Sequence, residues 1–546
     1  MDNLFIIEAP GKIKALEGIL TRLGFPSRIQ ATKGHLMTMP DRLKPLGIDC
    51  RMREFMRVPR DPALALRVRT EAETAKNVYI ATDADQEGDV IAWDVAELIK
   101  DIHPVPLRVR MKGMDDDSVR EAIESASPVR KEDAIAGRTR AVIDRMIGAN
   151  FSTPQVSVGR VSTALLGLVD RNSPAVHKLR LVAPAREGGR PWVAESDLKP
   201  PIDKAMALRL SRVEFPAFDM KGDGPRVSVP NHMGDVLVEA GDKLNMSPKE
   251  ASDSMQRLYE SGRLSYPRAG SRGVSDSVAK KIAEIFRKAG YQTQADNYAR
   301  KSEDSVHDAP YPIGKVDPNL DPKKLGSDEA VRQVVSRGLI KNGLRGTVQE
   351  AKTETLADFL LAKGFPDAVA KFVAALPWTR EHGPRVPGQE SWPESGLITR
   401  RPDTVLLEHA IKAGLGRPST WAKHIETFMN RGLVDDEMRL TDRGVEWRDA
   451  SPRALLDPRI SAAIEKACET RGVRLMNDPE REPWEILSEA ILQKLPEQIK
   501  SPLFASVAAE PARPKYDPVE ALALGESMVE RLEGEPTLEY APNVDT

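Results

Sequence analysis

The amino-acid sequence predicts a multidomain protein of mixed α/β and α class, opening with a parallel sheet wrapped by helices and continuing into helical units joined by a β-rich arm. Three observations predict it. The chain has 546 residues, enough for roughly two to four units with sizeable cores. Strand and helix patterns alternate through about residue 125, which fits a sheet covered on both faces. The middle is helical except for about 186–230, where apolar and polar residues alternate among many Gly and Pro.

Taken in order, "NLFIIEA" reads as a short buried strand. "GKIKALEGILTRLG" follows with Ile13, Leu16, Leu20 and Leu23 at helical spacing and Gly24 as the stop. "NVYIAT" is a second strand, and "DVIAWDVAELIK" a second helix with Ile91, Val95 and Leu98 on its apolar face. "GRTRAVIDRMIGANF" and "SPKEASDSMQRLYESGRLSYPR" carry helical periodicity, the latter from a Ser247 cap. The stretch 376–394, "LPWTREHGPRVPGQESWPE", reads as a loop; helices in "DTVLLEHAIKAG" and "STWAKHIETFMNRG" and a hairpin-like "LVDDEMRLTDRG" come after it. Residues beyond about 501 read as a partly disordered acidic tail.

Composition narrows the function classes. The two cysteines, Cys50 and Cys468, lie outside any C-x-x-C pattern, which excludes zinc fingers and ribbons and fits a reducing compartment. With no secretory leader and no apolar run long enough for a bilayer, the expectation is a soluble cytoplasmic protein with no membrane partner. The net charge of -2 hides an uneven distribution: 503–546 holds nine acids and three bases, net -6, leaving +4 on the rest. Arginines cluster at 51–69 and 138–160, so local basic faces for nucleic acid are available, although on composition alone ordinary solvated charges are the preferred reading.

The most informative stretch is "VYIATDADQEGDVIAW", which places Asp83, Asp85 and Glu87 at alternate positions after a strand. In a doubly wound sheet, ligands collect at the carboxyl ends of strands, and Glu8 ends the first strand as these acids end the second. In an extended segment the alternate side chains point to one side. Four carboxylates in one crevice require a divalent cation, and all-oxygen ligation favours Mg²⁺. Lys12, at a helix entrance suited to phosphate, points to phosphoryl chemistry. No G-x-x-x-x-G-K-[S/T] occurs, so ATP is not an expected substrate.

"IIEAPGK", "ATKGHL" and "ATDADQEGDVIAW" resemble the TOPRIM domain of type IA DNA topoisomerases. "LYESGRLSYPRAGS" is similar to that family's active-site segment, as are "DRMIGANFSTPQVSVGRVSTALLGLV", "SVHDAPYPI" and "GLGRPSTWAKHIETFMNRGLV" to further family motifs, in family order across some four-fifths of the chain. The resemblance implies Tyr266 as nucleophile on a DNA phosphate, Arg268 as the cation beside it, and Glu8, Lys12 and His307 as further catalytic groups. It implies Mg²⁺ at Glu8, Asp83, Asp85 and Glu87, and DNA contacts from His35, Arg160, Arg417, Ser419 and Thr420. Ser419 reads as the N-cap of a helix burying Ala422, Ile425 and Met429.

It also implies a toroidal clamp with winged-helix-like helical domains. The expected units are a TOPRIM domain at 1–125, a helical single-strand groove domain at 126–185 with 365–500, a β-rich hinge arm at 186–230 with 325–364, a tyrosine domain at 231–324 and an acidic tail at 501–546. The implied protein is an ATP-independent monomer acting on single-stranded or negatively supercoiled DNA, the tail being available to replication or recombination partners.

Departures from the family pattern are specific. Gln86 stands where the family has Arg, Ala269 and Gly270 where it has Thr-Asp or Ser-Asp, and His307–Ile313 replaces H-E-A-I-x-P-T. Ser162 replaces the Gln of G-R-V-Q. Gly270 removes an acid expected beside His307. Tyr-Pro-Arg and the missing zinc ribbons look more like the family's topoisomerase III branch than its topoisomerase I branch. The nucleophile, its arginine and all four acids remain, so activity is expected; the alternatives are a catalytically retired single-strand-binding accessory protein and, because TOPRIM also occurs in nucleases, a TOPRIM nuclease.

Overall fold

The computed structural model describes residues 2–522 apart from 173, 227, 303–306, 385, 388–391, 470–477 and 516. The first domain is a five-stranded sheet in the order Ser27–Ala31, Asn3–Ile7, Asn77–Ile80, Leu107–Arg108, Ser127–Pro128. The first four strands run parallel and the last antiparallel. The strand Asn3–Ile7 is nearly continuous apolar sequence because helices cover both faces. Its register, Asn3 to Asn77 and Ile6 to Ile80, brings the carboxyl ends of the two central strands side by side. The edge strand Ser127–Pro128 carries the domain slightly past the expected boundary at 125.

The helix Lys131–Phe151 packs against Gln86–Leu98 and begins the helical base. A single large core joins this base to the tyrosine domain: Val142 and Met146 share it with Met255, Leu258 and Ile282. The helix Pro248–Glu260 starts at Ser247 in a reciprocal capping box with Glu250, as its sequence predicts.

The arm is a second module with its own core. Its six strands run in the order Met220–Pro225, Thr347–Ala351, Thr379–His382, Trp192–Asp197, His177–Ala183, Gly396–Thr399. Along His177–Ala183 every second residue is buried, and Leu179, Leu181, Trp192, Phe215, Phe218 and Trp378 form the interior.

Four further points differ from expectation. The arm begins at 177 because that strand pairs with Trp192–Asp197 along its whole length. The helix Ser327–Gly343, expected in the arm, belongs to the tyrosine domain, where Val331, Val334 and Val335 fill the core beside Pro248–Glu260. Thr379–His382, read as loop, is a strand because antiparallel pairing with Thr347–Ala351 overrides its polar local sequence. Within the supposed tail, Glu497–Ala508 is a helix whose Ile499, Leu503 and Val507 are buried against the base, and Ala521 reaches the core of the first domain. Residues 523–546 lie outside the described residues. Among the described residues no helix is long and apolar enough to cross a membrane.

Candidate active site

Two parallel strands deliver the acids. Glu8 follows Asn3–Ile7, and the chain then turns through Pro10–Lys12 into the helix Ile13–Arg22, which buries Lys12 to 1% exposure with its ammonium paired to Asp83. After Asn77–Ile80, Asp85 caps the helix Gln86–Leu98 by accepting from the Gly88 amide at 2.8 Å. Gly88 is required here: a Cβ would lie 1.9 Å from the Asp83 carbonyl oxygen. Arg108 lies beneath this turn and donates to the carbonyls of Thr82 (2.8 Å) and Asp83 (2.6 Å), fixing the backbone that carries the acids.

This geometry corrects the reading of D-x-D-x-E as one extended segment. Extended pairing stops at Ile80, and Asp85 is already an N-cap, so Glu87 lies on the first helical turn. There its carboxylate accepts from Arg417 Nη2 at 2.6 Å and pairs with His35 Nε2 at 2.9 Å. Burial disfavours its charge, yet His35 and Arg417 hold its pKa far below the usual carboxylate range.

The tyrosine enters from mid-chain. The Tyr266 amide donates to the Lys112 carbonyl at 2.9 Å, seating the "SYPR" turn on the first domain. Its hydroxyl donates to Asp85 Oδ2 at 2.9 Å. The ring, 2% exposed, lies edge-on to Tyr259 with centroids 5.4 Å apart and beside His307 at 4.5 Å. Arg268 Nη1 is 3.7 Å from Asp83 and 3.8 Å from Asp85, and its side chain keeps 27% of its surface exposed. His307 Nε2 donates to the Ala84 carbonyl between the two aspartates. The structure therefore brings Glu8, Lys12, Asp83, Asp85, Tyr266, Arg268 and His307 to one place.

The electrostatics separate donors from acceptors of protons. Burial, reinforced by Asp85 and Asp83, raises the Tyr266 phenol well above 10, so the resting hydroxyl is neutral. Burial and then the charges of Asp83 and Asp85 raise Glu8 to about 7. Burial opposes ionisation of Asp83 too, but Lys12 and Arg268 win and keep it charged. Burial lowers the His307 pKa, leaving a neutral ring.

The DNA-contact expectations fare differently. Arg160, 4% exposed, is enclosed by Asp144 at 2.8 Å and Glu465 at 3.1 Å. Arg417, 9% exposed, is held by Glu87, Gln86 and Glu465. Neither is displayed to solvent as a free phosphate contact in this conformation, because buried guanidinium groups take carboxylate partners wherever they can. Ser419 is not the cap; Thr420 precedes the helix Trp421–Asn430, and its hydroxyl accepts from the Arg417 amide at 3.2 Å. Both residues are half-buried beside Arg417. At exposed Gly270 an added Cβ would have room, its nearest neighbour being Pro418 at 3.7 Å. His307 Nδ1 has no hydrogen-bond partner among the described residues.

Sequence reasoning missed Arg108, Arg140, Tyr259 and Glu465. Arg108 left a signal, a cation inside the apolar strand "PLRVRM"; Tyr259 left one as a second tyrosine seven residues before Tyr266. Lys12 Nζ lies 4.8 Å from the Tyr259 ring centroid, so that ring stabilises the buried cation. Glu465 left none.

Whether Mg²⁺ fits can be tested on the donor set. Among the described residues no three His, Cys, Asp or Glu side chains form a ready cage. Glu87 is spoken for by His35 and Arg417, which removes it from the expected ligands in this conformation. Asp83 and Asp85 remain, and Mg²⁺ commonly needs only one or two carboxylates plus phosphate and water. Glu8 Oε2 is buried with no partner among the described residues. The site fits a sparsely ligated, hydrated Mg²⁺.

An acidic crevice at the ends of parallel strands, met by a phenol from a separate domain, defines a Toprim protein with a tyrosine module. Residues 3–112 match the Toprim domain family, a metal-binding domain, and 226–357 match the DNA topoisomerase family. DNA topoisomerase 1 of Aquifex aeolicus is 25% identical over 79% of this chain and 87% of its own length. A plasmid DNA topoisomerase I of Xylella fastidiosa is 26% identical over 53% of this chain and 47% of its own. Campylobacter jejuni DNA topoisomerase 1 is 26% identical over 60% and 52%. The chain thus spans about half the length of the latter two relatives. Full-length topoisomerase I of Thermotoga maritima shares the fold, with a TM-score of 0.58 at 17% identity, covering 93% of this chain and 90% of that one. The chain is thus similar to bacterial DNA topoisomerases, through two family-matched segments and through a relative aligned over most of its length.

Proposed function

We propose that the protein changes DNA topology by cutting one strand through Tyr266, passing another strand through the break and resealing it without ATP. The observation that carries this reading is the Tyr266 hydroxyl donating to Asp85 at 2.9 Å with Arg268 and Glu8 beside it. As the phenolic oxygen bonds to phosphorus and the bond to the 3′-oxygen breaks, the phenolic proton passes to Asp85. Glu8, with its pKa near neutrality, gives a proton to the departing 3′-oxygen and takes it back on religation. Arg268 and Lys12 stabilise charge on the phosphoryl oxygens. Mg²⁺, when held by Asp83 and Asp85, would supply further positive charge at the phosphodiester.

The substrate on this reading is single-stranded or negatively supercoiled DNA, the protein acts as a monomer, and relaxation, decatenation or both are its output. The experiment compares wild type with Tyr266→Phe on negatively supercoiled DNA and Mg²⁺, followed by denaturation. Covalent adduct from wild type alone is expected. Adduct from neither would favour an accessory DNA-binding role, and free ends surviving Tyr266→Phe would favour a nuclease.

A further inference from the structure

One buried carboxylate takes no part in the chemistry above. Glu465, on the helix Pro458–Cys468, receives Arg140 Nε at 3.1 Å and Nη2 at 2.7 Å, Arg160 Nη1 at 3.1 Å and Arg417 Nε at 3.3 Å. These arginines come from three separate segments, and their like charges repel unless an anion lies between them. Two of them reach on toward the active site. Arg140 Nη2 and Arg417 Nη1 both donate to Gln86 Oε1, at 2.7 and 3.0 Å, and Arg417 Nη2 donates to Glu87. Gln86 and Glu87 open the helix whose N-cap, Asp85, accepts the Tyr266 hydroxyl.

The cluster also explains the glutamine at 86. A neutral carbonyl can accept from two guanidinium groups at once, whereas the arginine usual at this position in the family would bring a fourth cation against them.

We propose that Glu465 is a positioning residue for strand cleavage: it gathers Arg140, Arg160 and Arg417 and, through Gln86 and Glu87, holds Asp85 in place at the nucleophile. The proposal rests on the cleavage reading above and deepens it. A charge-gathering role differs from a merely structural one in what rescues its loss. Glu465→Gln removes the anion, and Gln86→Glu returns one to the same two arginines from the opposite side. Glu485 is the control, a buried carboxylate paired with Arg53 at 3.0 Å and outside this cluster.

The test measures covalent adduct formation on a labelled single-stranded oligonucleotide with Mg²⁺, alongside thermal melting, for wild type, Glu465→Gln, Glu465→Gln with Gln86→Glu, Gln86→Arg and Glu485→Gln. The expected result is at least a tenfold slower adduct for Glu465→Gln, recovery to within about threefold of wild type in the double variant, and wild-type cleavage by folded Glu485→Gln. Gln86→Arg, which leaves Glu465 in place should Glu465→Gln not fold, is expected to cleave more slowly than wild type. Wild-type cleavage by Glu465→Gln or by Gln86→Arg, or no rescue in a folded double variant, overturns the proposal. A wild-type protein that forms no adduct instead overturns the cleavage reading itself, so the two failures are distinguishable.

Discussion

Toward the helical base, the Toprim domain is joined by close helix packing and buried ion pairs. At Gly137 an added Cβ would lie 2.4 Å from Val90 Cγ2, and Arg138 pairs with Glu54 at 2.6 Å and Arg53 with Glu485 at 3.0 Å, all largely shielded from water. Toward the tyrosine domain, the same domain is joined by the groups that would do chemistry: Tyr266 to Asp85, His307 to the Ala84 carbonyl, Arg268 to Asp83 and Asp85. Of the tyrosine domain's residues, Tyr259 and Tyr266 share the apolar cluster on that side of the Toprim sheet. The first seam resists opening because breaking it strands buried charges. In the second, a phenolic oxygen bonded to phosphorus can no longer donate to Asp85, so on the proposed reaction cleavage itself removes a latch.

The largest effect is expected in the first seam. Arg138→Ala leaves Glu54 buried without its ion partner and should cost about 3–5 kcal/mol of stability. Its checks are denaturant unfolding and adduct yield per folded molecule, the latter expected to stay near wild type. A loss below about 1 kcal/mol would erase the contrast between the seams.

The two seams were unequally legible in the sequence. Glu8, Lys12, Tyr266 and Arg268 could be placed because each follows a strong local pattern, a strand end, a helix entrance or a tyrosine-proline-arginine turn. The partners of Arg160 and Arg417 could not, because Glu465 is remote in sequence from Arg160 and an arginine's spacing says nothing about which distant carboxylate folding brings to it. Glu87 was misplaced for a different reason. Alternation D-x-D-x-E suits a strand, but Asp85 three residues before Gly88 also suits a helix cap, and the cap prevailed. In the tail, Ile499, Leu503 and Val507 at four-residue spacing marked a helix that the net charge of the whole segment obscured.

A second effect, of intermediate size, separates the crevice from both seams. Glu8 has a folded pKa of about 7 against an ordinary 4.5. Between these values the folded chain keeps a proton that the unfolded chain has released, so this share of stability is full at low pH and is lost as pH rises through about 7. The total is roughly 3 kcal/mol. Thermal melts at acid and alkaline pH without divalent ions should therefore show a steeper decline for wild type than for Glu8→Gln. Equal slopes would mean that Glu8 ionises as freely in the fold as outside it.

Smaller again in energy is the tyrosine latch. Tyr266→Phe should abolish the adduct while costing about 1–2 kcal/mol, because Asp85 still caps its helix and lies near Arg268. Chemical unfolding of the variant beside Arg138→Ala sharpens the comparison directly. A cost as large as that of Arg138→Ala would make the tyrosine a structural rivet.

The smallest effect tests whether ordinary surface charge contributes to the second seam. Lys281 approaches Asp115 across it at 3.9 Å, with side chains 38% and 20% exposed. At that exposure water and salt screen the pair, and the four-carbon lysine stem loses rotamer freedom in holding it, so the net gain is about 0–1 kcal/mol. Lys281→Ala should therefore shift unfolding by less than about 1 kcal/mol. Its rate of adduct formation should also match that of wild type at both low and moderate salt. If it instead accelerated adduct formation at low salt alone, surface charge would be restraining the tyrosine domain, and the second seam would owe its hold to more than the groups at the nucleophile.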